Sequence, residues 1–183
     1  MIFKLKNIKL KDQLNVILRS PRDTDAKAIL DYLKTVTGET PYLLRKPEEC
    51  TDTIMQEVLF IQSINQHPTQ VMILAVKNDE IIGISNVGLK QKLKMKHRAT
   101  LGISILKKYW GYGLGSVMMD HLIEMAKSFG AERLELEVIE GNDRAIHLYQ
   151  QKGFQFMSEI NDAIKYSDGT YSKEYVMTLN LLK

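Results

Sequence analysis

A single cysteine, Cys50, stands among 183 residues, so no internal disulfide can form, which suits a reducing compartment and sets the expectation of a cytoplasmic protein. Histidine is scarce as well. His67, His97, His121 and His147 show neither an HExxH pairing nor a carboxylate spacing, so no bound metal is expected. The four prolines all precede residue 70, and no repeat or Pro/Gly/Ser tract marks a linker, so residues 1–183 read as one domain. No run reaches the roughly 20 apolar residues that span a bilayer. The start, MIFKLKNIKLKDQLNVILRS, alternates apolar and basic residues and lacks the apolar core of a signal peptide. Neither secretion nor a membrane partner is expected. A strong charge of one sign is missing too: the formal net charge is +3, too small to argue for a nucleic-acid partner.

What remains is the composition of a folded, water-soluble chain, with 44% apolar and 26% charged residues and enough length to bury a core without staples. One dense basic stretch stands out, Lys90, Lys92, Lys94, Lys96 and Arg98, followed by Lys107 and Lys108. It reads either as a solvated hairpin loop or as a positive rim beside an anionic ligand.

Hydrophobic spacing orders the elements. Residues 2 to 19 read as a first strand or hairpin, with Val16 and Leu18 in period-two register. Asp23 to Asp25 open a helix carrying Ala26, Ile29, Leu30 and Leu33 on one face, and a second helix after Pro47 carries Ile54, Val58 and Ile61. Val71 to Val76 and Ile81 to Val87 flank Lys77-Asn78-Asp79-Glu80 as a hairpin. Thr100 to Leu106 is a strand, and Leu114, Met118, Leu122, Met125 and Phe129 form a helix stripe closed by Lys127 and Gly130. Leu134, Leu136 and Val138 alternate as a strand, Asp143 to Lys152 is a short helix stopped by Gly153, and Tyr175 to Leu182 is a closing strand. The order predicts an α/β (α+β) fold with a mixed, largely antiparallel sheet. Thr100 to Val138 makes one right-handed strand, helix, strand unit, with a ligand crevice at the carboxyl ends of its parallel strands.

At that crevice lies Lys107-Lys108-Tyr109-Trp110-Gly111-Tyr112-Gly113-Leu114-Gly115-Ser116. Glycines at alternate positions allow positive φ and convergent N–H groups, and the first turn of the helix adds unpaired donors and the positive end of its dipole. A phosphate or diphosphate ligand suits such a turn. A nucleoside-triphosphate loop would need Gly-Lys-Ser/Thr, which is missing. A dinucleotide fingerprint would need glycine where Ser116 stands.

Trp110 to Gly115 with its helix, followed by Asn142, Ala145, Tyr149, Gly153 and Phe154, resembles the GNAT superfamily of acetyl-CoA-dependent N-acetyltransferases. The likeness covers roughly Ile103 to Phe154. Its pattern is Gln/Arg-x-x-Gly-x-Gly/Ala and then Asn-x-x-Ala-x-x-x-Tyr-x-x-x-Gly-Phe. Trp110 departs from it, standing where the superfamily usually has glutamine or arginine. The resemblance implies a central sheet splayed at its parallel pair with helices on both faces, and acetyl-CoA as co-substrate. It implies that Ile105 pairs through its backbone with the pantetheine arm, that Trp110, Gly111, Tyr112, Gly113, Leu114, Gly115 and Ser116 form the diphosphate turn, and that Asn142 contacts the cofactor. It also implies that Tyr149 is the catalytic donor to the departing thiolate.

Read from the residues alone, Asn142 is a helix N-cap and Tyr149 a half-buried aromatic two turns on, sharing a face with Ala145. Ordinary pKa values of about 10 for tyrosine and about 8.5 for a thiol put full proton transfer only about 2 kcal/mol uphill. The acceptor is expected to be a primary amine of a small molecule or peptide, attacking directly. It arrives protonated and must lose a proton. Related sequences often hold a glutamate where this chain has Thr100, and Glu137 and Glu140 are the nearest other acids. The acceptor is expected to meet the first two helices, the Lys90 to Arg98 loop and the hairpin around Asp168 to Lys173. The final strand is a candidate for pairing across a homodimer. Two other readings stay open: a non-catalytic acyl-CoA-binding module of the same fold, and a dinucleotide-dependent oxidoreductase.

Overall fold

The structure, a computed structural model, describes residues 1–182. Two strands, β1 (Lys6–Lys9) and β2 (Asn15–Arg19), precede two helices, α1 (Ala26–Gly38) and α2 (Ile54–Gln66). Three antiparallel strands follow, β3 (Gln70–Lys77), β4 (Glu80–Leu89) and β5 (Arg98–Ile105). The chain continues through α3 (Leu114–Ser128), β6 (Arg133–Ile139), α4 (Asp143–Gln151), β7 (Gln155–Lys165) and β8 (Tyr171–Asn180). All eight strands join one sheet in the order β1-β2-β3-β4-β5-β6-β8-β7, antiparallel except between β5 and β6.

Local chemistry accounts for the elements. Asn78 and Asp79 hold φ of 47° and 63°, the left-handed pair that a two-residue hairpin turn requires and that Asn and Asp tolerate. Thr53 caps α2: its hydroxyl accepts from Gln56 N–H at 3.3 Å while the Gln56 side chain accepts from Thr53 N–H at 2.8 Å, a reciprocal capping box. The continuous apolar run of β3 is explained by burial on both faces. Val71, Ile73 and Ala75 pack with α3 residues such as Met118 and Leu122, whereas Met72, Leu74 and Val76 pack with Ile29, Tyr32 and Ile61 of α1 and α2. The helices therefore lie on both faces.

The parallel pair is short. Arg98, Ala99 and Thr100 register with Arg133, Leu134 and Glu135, and no pairing continues beyond them, so β5 and β6 diverge toward their carboxyl ends. The closed end is locked by the buried Glu135 carboxylate, which accepts from Arg98 Nε, from Arg98 Nη2 at 2.7 Å and pairs with Lys90 Nζ at 2.8 Å. Burial alone would raise the Glu135 pKa; the Arg98 and Lys90 bonds outweigh it and hold it below the usual range.

Two expectations need correction. The last strand spans Tyr171–Asn180 rather than 175–182, and it lies between β6 and β7, so it is no sheet edge. The edge on that side is β7, whose exposed residues and two register irregularities erase any period-two signal.

Candidate active site

A cavity of about 890 Å³ opens where β5 and β6 part. Its walls are the carboxyl halves of both strands, the turn entering α3, one side of α4 along its length and the segment after α1 that carries Thr40 and Tyr42. Of the residues singled out in the sequence, Ile105, Trp110, Gly111, Gly113, Leu114, Gly115, Ser116, Asn142 and Tyr149 all line it. Tyr112 does not. Its carbonyl accepts from the Lys11 N–H at 3.2 Å and ties the turn to the loop after β1.

The β5 end is set by ladder alternation. Leu106 N–H donates to the Ile82 carbonyl at 3.0 Å, so the N–H and carbonyl of Ile105 point away from β4 and into the gap toward β6. The Ile105 carbonyl receives the Trp110 indole N–H at 2.7 Å. Trp110, the departure from the superfamily pattern, thus bonds within the chain, and the Arg144 guanidinium stacks 5.0 Å from its ring centroid.

The glycine turn has the form its composition implies. Gly111 and Gly113 adopt φ of 90° and 88°, and a Cβ at either would meet nothing within 4 Å, so both border open space. Gly115 instead serves packing, since a Cβ there would lie 3.1 Å from Leu148 and 3.5 Å from Ile105. Helix α3 starts at Gly113 with no side-chain cap and no acid in its first turn, leaving first-turn N–H groups and the dipole's positive end open to the cavity. Beneath the turn, Glu39 accepts from Lys107 N–H at 2.6 Å and Glu80 binds Lys108 at 2.6 Å and the Tyr109 hydroxyl at 2.8 Å.

Asn142 sits at the N-terminus of α4, but its side chain makes no capping bond, so capping does not use it. Tyr149 is 7% exposed and its hydroxyl makes no hydrogen bond among the described residues; burial pushes its pKa up to about 12.

The basic stretch does not rim this cavity. Lys90 and Arg98 serve Glu135 at the closed end of the sheet, and no residue from Lys90 to Arg98 lines the opening. Thr100 and Glu140 also lie off it, Glu140 accepting from the Tyr175 hydroxyl at 3.2 Å. Glu137 does line the cavity. So do four residues that sequence reasoning missed: Lys11, Tyr42, Arg144 and Glu174. Arg144 falls inside the quoted motif and could have been found from it; the others are brought in by tertiary folding alone.

A splayed parallel pair, a positive-φ glycine turn into an uncapped helix and a buried tyrosine on the following helix define the acyltransferase class of this fold. The sequence matches the model of the Acetyltransferase (GNAT) family over residues 38–154, more than half of its length, and the chain belongs to that family. An acetyltransferase of the GNAT family from Streptococcus pneumoniae is 29% identical, with a TM-score of 0.86 over 91% of this chain and 99% of that one. A protein from Salmonella typhimurium, solved with acetyl-CoA, shares the fold at 16% identity and TM-score 0.78 over 91% of this chain and 94% of that one. Among curated proteins, the probable spermine N(1)-acetyltransferase of Bacillus subtilis subsp. natto is 43% identical over 56 residues, 30% of this chain and 37% of that protein. The L-amino acid N-acetyltransferase of Escherichia coli K12 is 25% identical over 95 residues, 51% of this chain and 59% of that protein. The matches thus span from about a third to three fifths of these curated relatives. No helix among the described residues is long and apolar enough to cross a membrane.

Proposed function

We propose that residues 1–183 act as a single acetyl-CoA-dependent N-acetyltransferase domain in the cytoplasm, moving the acetyl group to a primary amine of a small molecule or peptide by direct attack. One observation carries the reading: an open, uncapped glycine turn and the unbonded hydroxyl of the buried Tyr149 share one cavity at the splay of β5 and β6. The relatives act, by their names, on spermine and on amino acids, which supports an amine acceptor. Family membership favours acyl transfer over dinucleotide chemistry. Nucleic acid and membrane are not proposed as partners. A second copy would pair along β7, where Phe156, Met157 and Ile160 are exposed.

The residues suit the coenzyme. Gly111 and Gly113 leave room for a diphosphate, the first-turn N–H groups of α3 supply donors, and Lys11 and Arg144 add positive charge to the same cavity. Trp110, Tyr112 and Leu114 shape that turn, Ser116 and Asn142 offer side-chain polar atoms, and the Ile105 N–H points into the gap as a donor. Bound there, acetyl-CoA supplies an activated thioester. Tyr149 keeps its proton at any assay pH. Its pKa of about 12 lies about 3.5 units above an ordinary thiol, so full transfer costs about 5 kcal/mol rather than about 2. Tyr149 therefore acts as a hydrogen-bond donor to the departing sulfur, whose bond strengthens as charge develops.

Thiol release from acetyl-CoA in the presence of an amine panel tests the reading. Tyr149→Phe is expected to lower kcat about 10- to 100-fold while leaving coenzyme affinity unchanged; equal turnover removes Tyr149 from the mechanism. Coenzyme binding with no thiol release for any amine would favour the non-catalytic acyl-CoA-binding module.

A further inference from the structure

Two acids stand on the cavity wall. Glu137 lies on β6 and Glu174 on β8, and both line the cavity. Glu137 registers with Val176 and Glu174 with Ile139. Leu136 and Val138 point into the α3 core, so the intervening Glu137 and Ile139 face the α1 side of the sheet. Glu174, opposite Ile139, faces the same way, which makes the two acids diagonal neighbours about 7 Å apart at Cβ.

Nearby acids are all engaged: Glu135 with Arg98 and Lys90, Glu140 with Tyr175, Glu159 with Lys173. Neither Glu137 nor Glu174 has an ion pair or side-chain hydrogen bond among the described residues. Burial, then the charge of Glu137, raises the affinity of Glu174 for a proton, the response of a carboxylate that lacks a cation. The cavity's own cations stand elsewhere, Lys11 beside the glycine turn and Arg144 on the Trp110 ring, with His147 bonded to Gln151 and Asp143 in the first turn of α4. Independently of the acids, Tyr149, more than nine-tenths buried, turns a hydroxyl without a partner toward the same cavity. The cavity thus has an anion-binding end, an acidic wall and a hydroxyl without a protein partner among the described residues.

We infer that Glu137 and Glu174 hold an ammonium group of the acceptor, and that the acceptor is a diamine or longer polyamine rather than an α-amino acid. The inference rests on the acetyl-transfer reading above. The attacked nitrogen must shed its charge before it can act as a nucleophile, so the group kept on the acids through the reaction is a second ammonium. In balance, the diamine dication loses one proton to solvent and the freed amine forms a C–N bond as the C–S bond breaks. The products are a monoacetylated monocation and the thiol, the sulfur's proton coming from the second N–H of the attacking nitrogen through solvent. An amino acid would instead bring its carboxylate toward two unpaired anions.

The test uses wild type, Glu137→Gln, Glu174→Gln and the double variant. Calorimetric titration with 1,5-diaminopentane and spermidine is run without coenzyme, alongside steady-state rates with diamines, propylamine and neutral amino acids. The wild type is expected to bind the diamines saturably and more weakly at high salt. The double variant is expected to lose at least tenfold in diamine affinity and to show a correspondingly higher diamine KM, each single variant less, with acetyl-CoA affinity unchanged. Absence of diamine binding to the wild type, unchanged binding in the double and both single variants, or an amino acid turned over more efficiently than any diamine would overturn the inference. Diamine binding that the variants lose, with no acetyl-CoA binding at all, would defeat the acetyl-transfer reading and leave the acidic wall standing as a polyamine site.

Discussion

The Trp110 indole N–H donates to the Ile105 carbonyl across 2.7 Å, while the Arg144 guanidinium lies 5.0 Å from the same ring. One side chain therefore joins the end of β5, the glycine turn and the start of α4. Without it, a carbonyl at a partly buried strand end would face the gap unpaired.

Trp110→Phe keeps a ring for Arg144 and removes only the N–H. The expected cost is about 1 kcal/mol for the lost bond, a fall in Tm of about 2–4 °C for a chain of this size, read by calorimetry. Coenzyme affinity is expected to fall as the Ile105 end loosens. An unchanged Tm would mean that the bond does not brace the site.

Gly113 and Gly115 separate two demands on the turn. Gly113→Ala places a side chain in the left-handed region at about 1–2 kcal/mol, with no clash but at the mouth of the cavity. Gly115→Ala keeps an ordinary conformation and presses on Leu148 at 3.1 Å. The first is expected to weaken acetyl-CoA binding about tenfold beyond its effect on stability. The second is expected to act mainly on Tm.

Glu135 gives a pH dependence of fixed sign. Its pKa is lower in the folded protein than in the unfolded chain, so its contribution is fully present above the ordinary carboxylate pKa of about 4.3 and is lost as pH falls through the folded value. Glu135→Gln leaves Arg98 and Lys90 half-buried without their anion and is expected to cost about 2 kcal/mol at pH 7. Denaturant titrations at pH 7 and pH 3 are expected to show the gap between variant and wild type narrowing in acid.

Much of this was legible before folding. Continuous apolar runs marked β3 and β4 because both of their faces are largely buried, helical spacing marked α3 because it buries one unbroken face, and Gly111 and Gly113 announced positive φ. The Asn142 to Phe154 spacing placed Tyr149 on the cavity because a helix fixes the relation of residues seven apart. Strand β7 escaped because its exposed residues carry no burial pattern. Of the two readings of the basic stretch, a loop between β4 and β5 holds and the positive rim does not, because charge in sequence says nothing about which end of a strand it will occupy: Arg98 begins β5, and the cavity lies where β5 ends. Glu174, Tyr42 and Lys11 reach the cavity through tertiary contacts, and no local pattern marks such residues.

Because Trp110 is the chain's one tryptophan and sits in the turn itself, its fluorescence reports directly on whether that turn holds the coenzyme's diphosphate. Titration with acetyl-CoA is expected to give a saturable change that free coenzyme A reproduces and that Gly113→Ala weakens. The acetyl thioester of N-acetylcysteamine, which lacks the diphosphate, is expected to give none at the same concentrations. An unchanged signal at saturating acetyl-CoA, or a change produced by NAD and not by acetyl-CoA, would contradict the account.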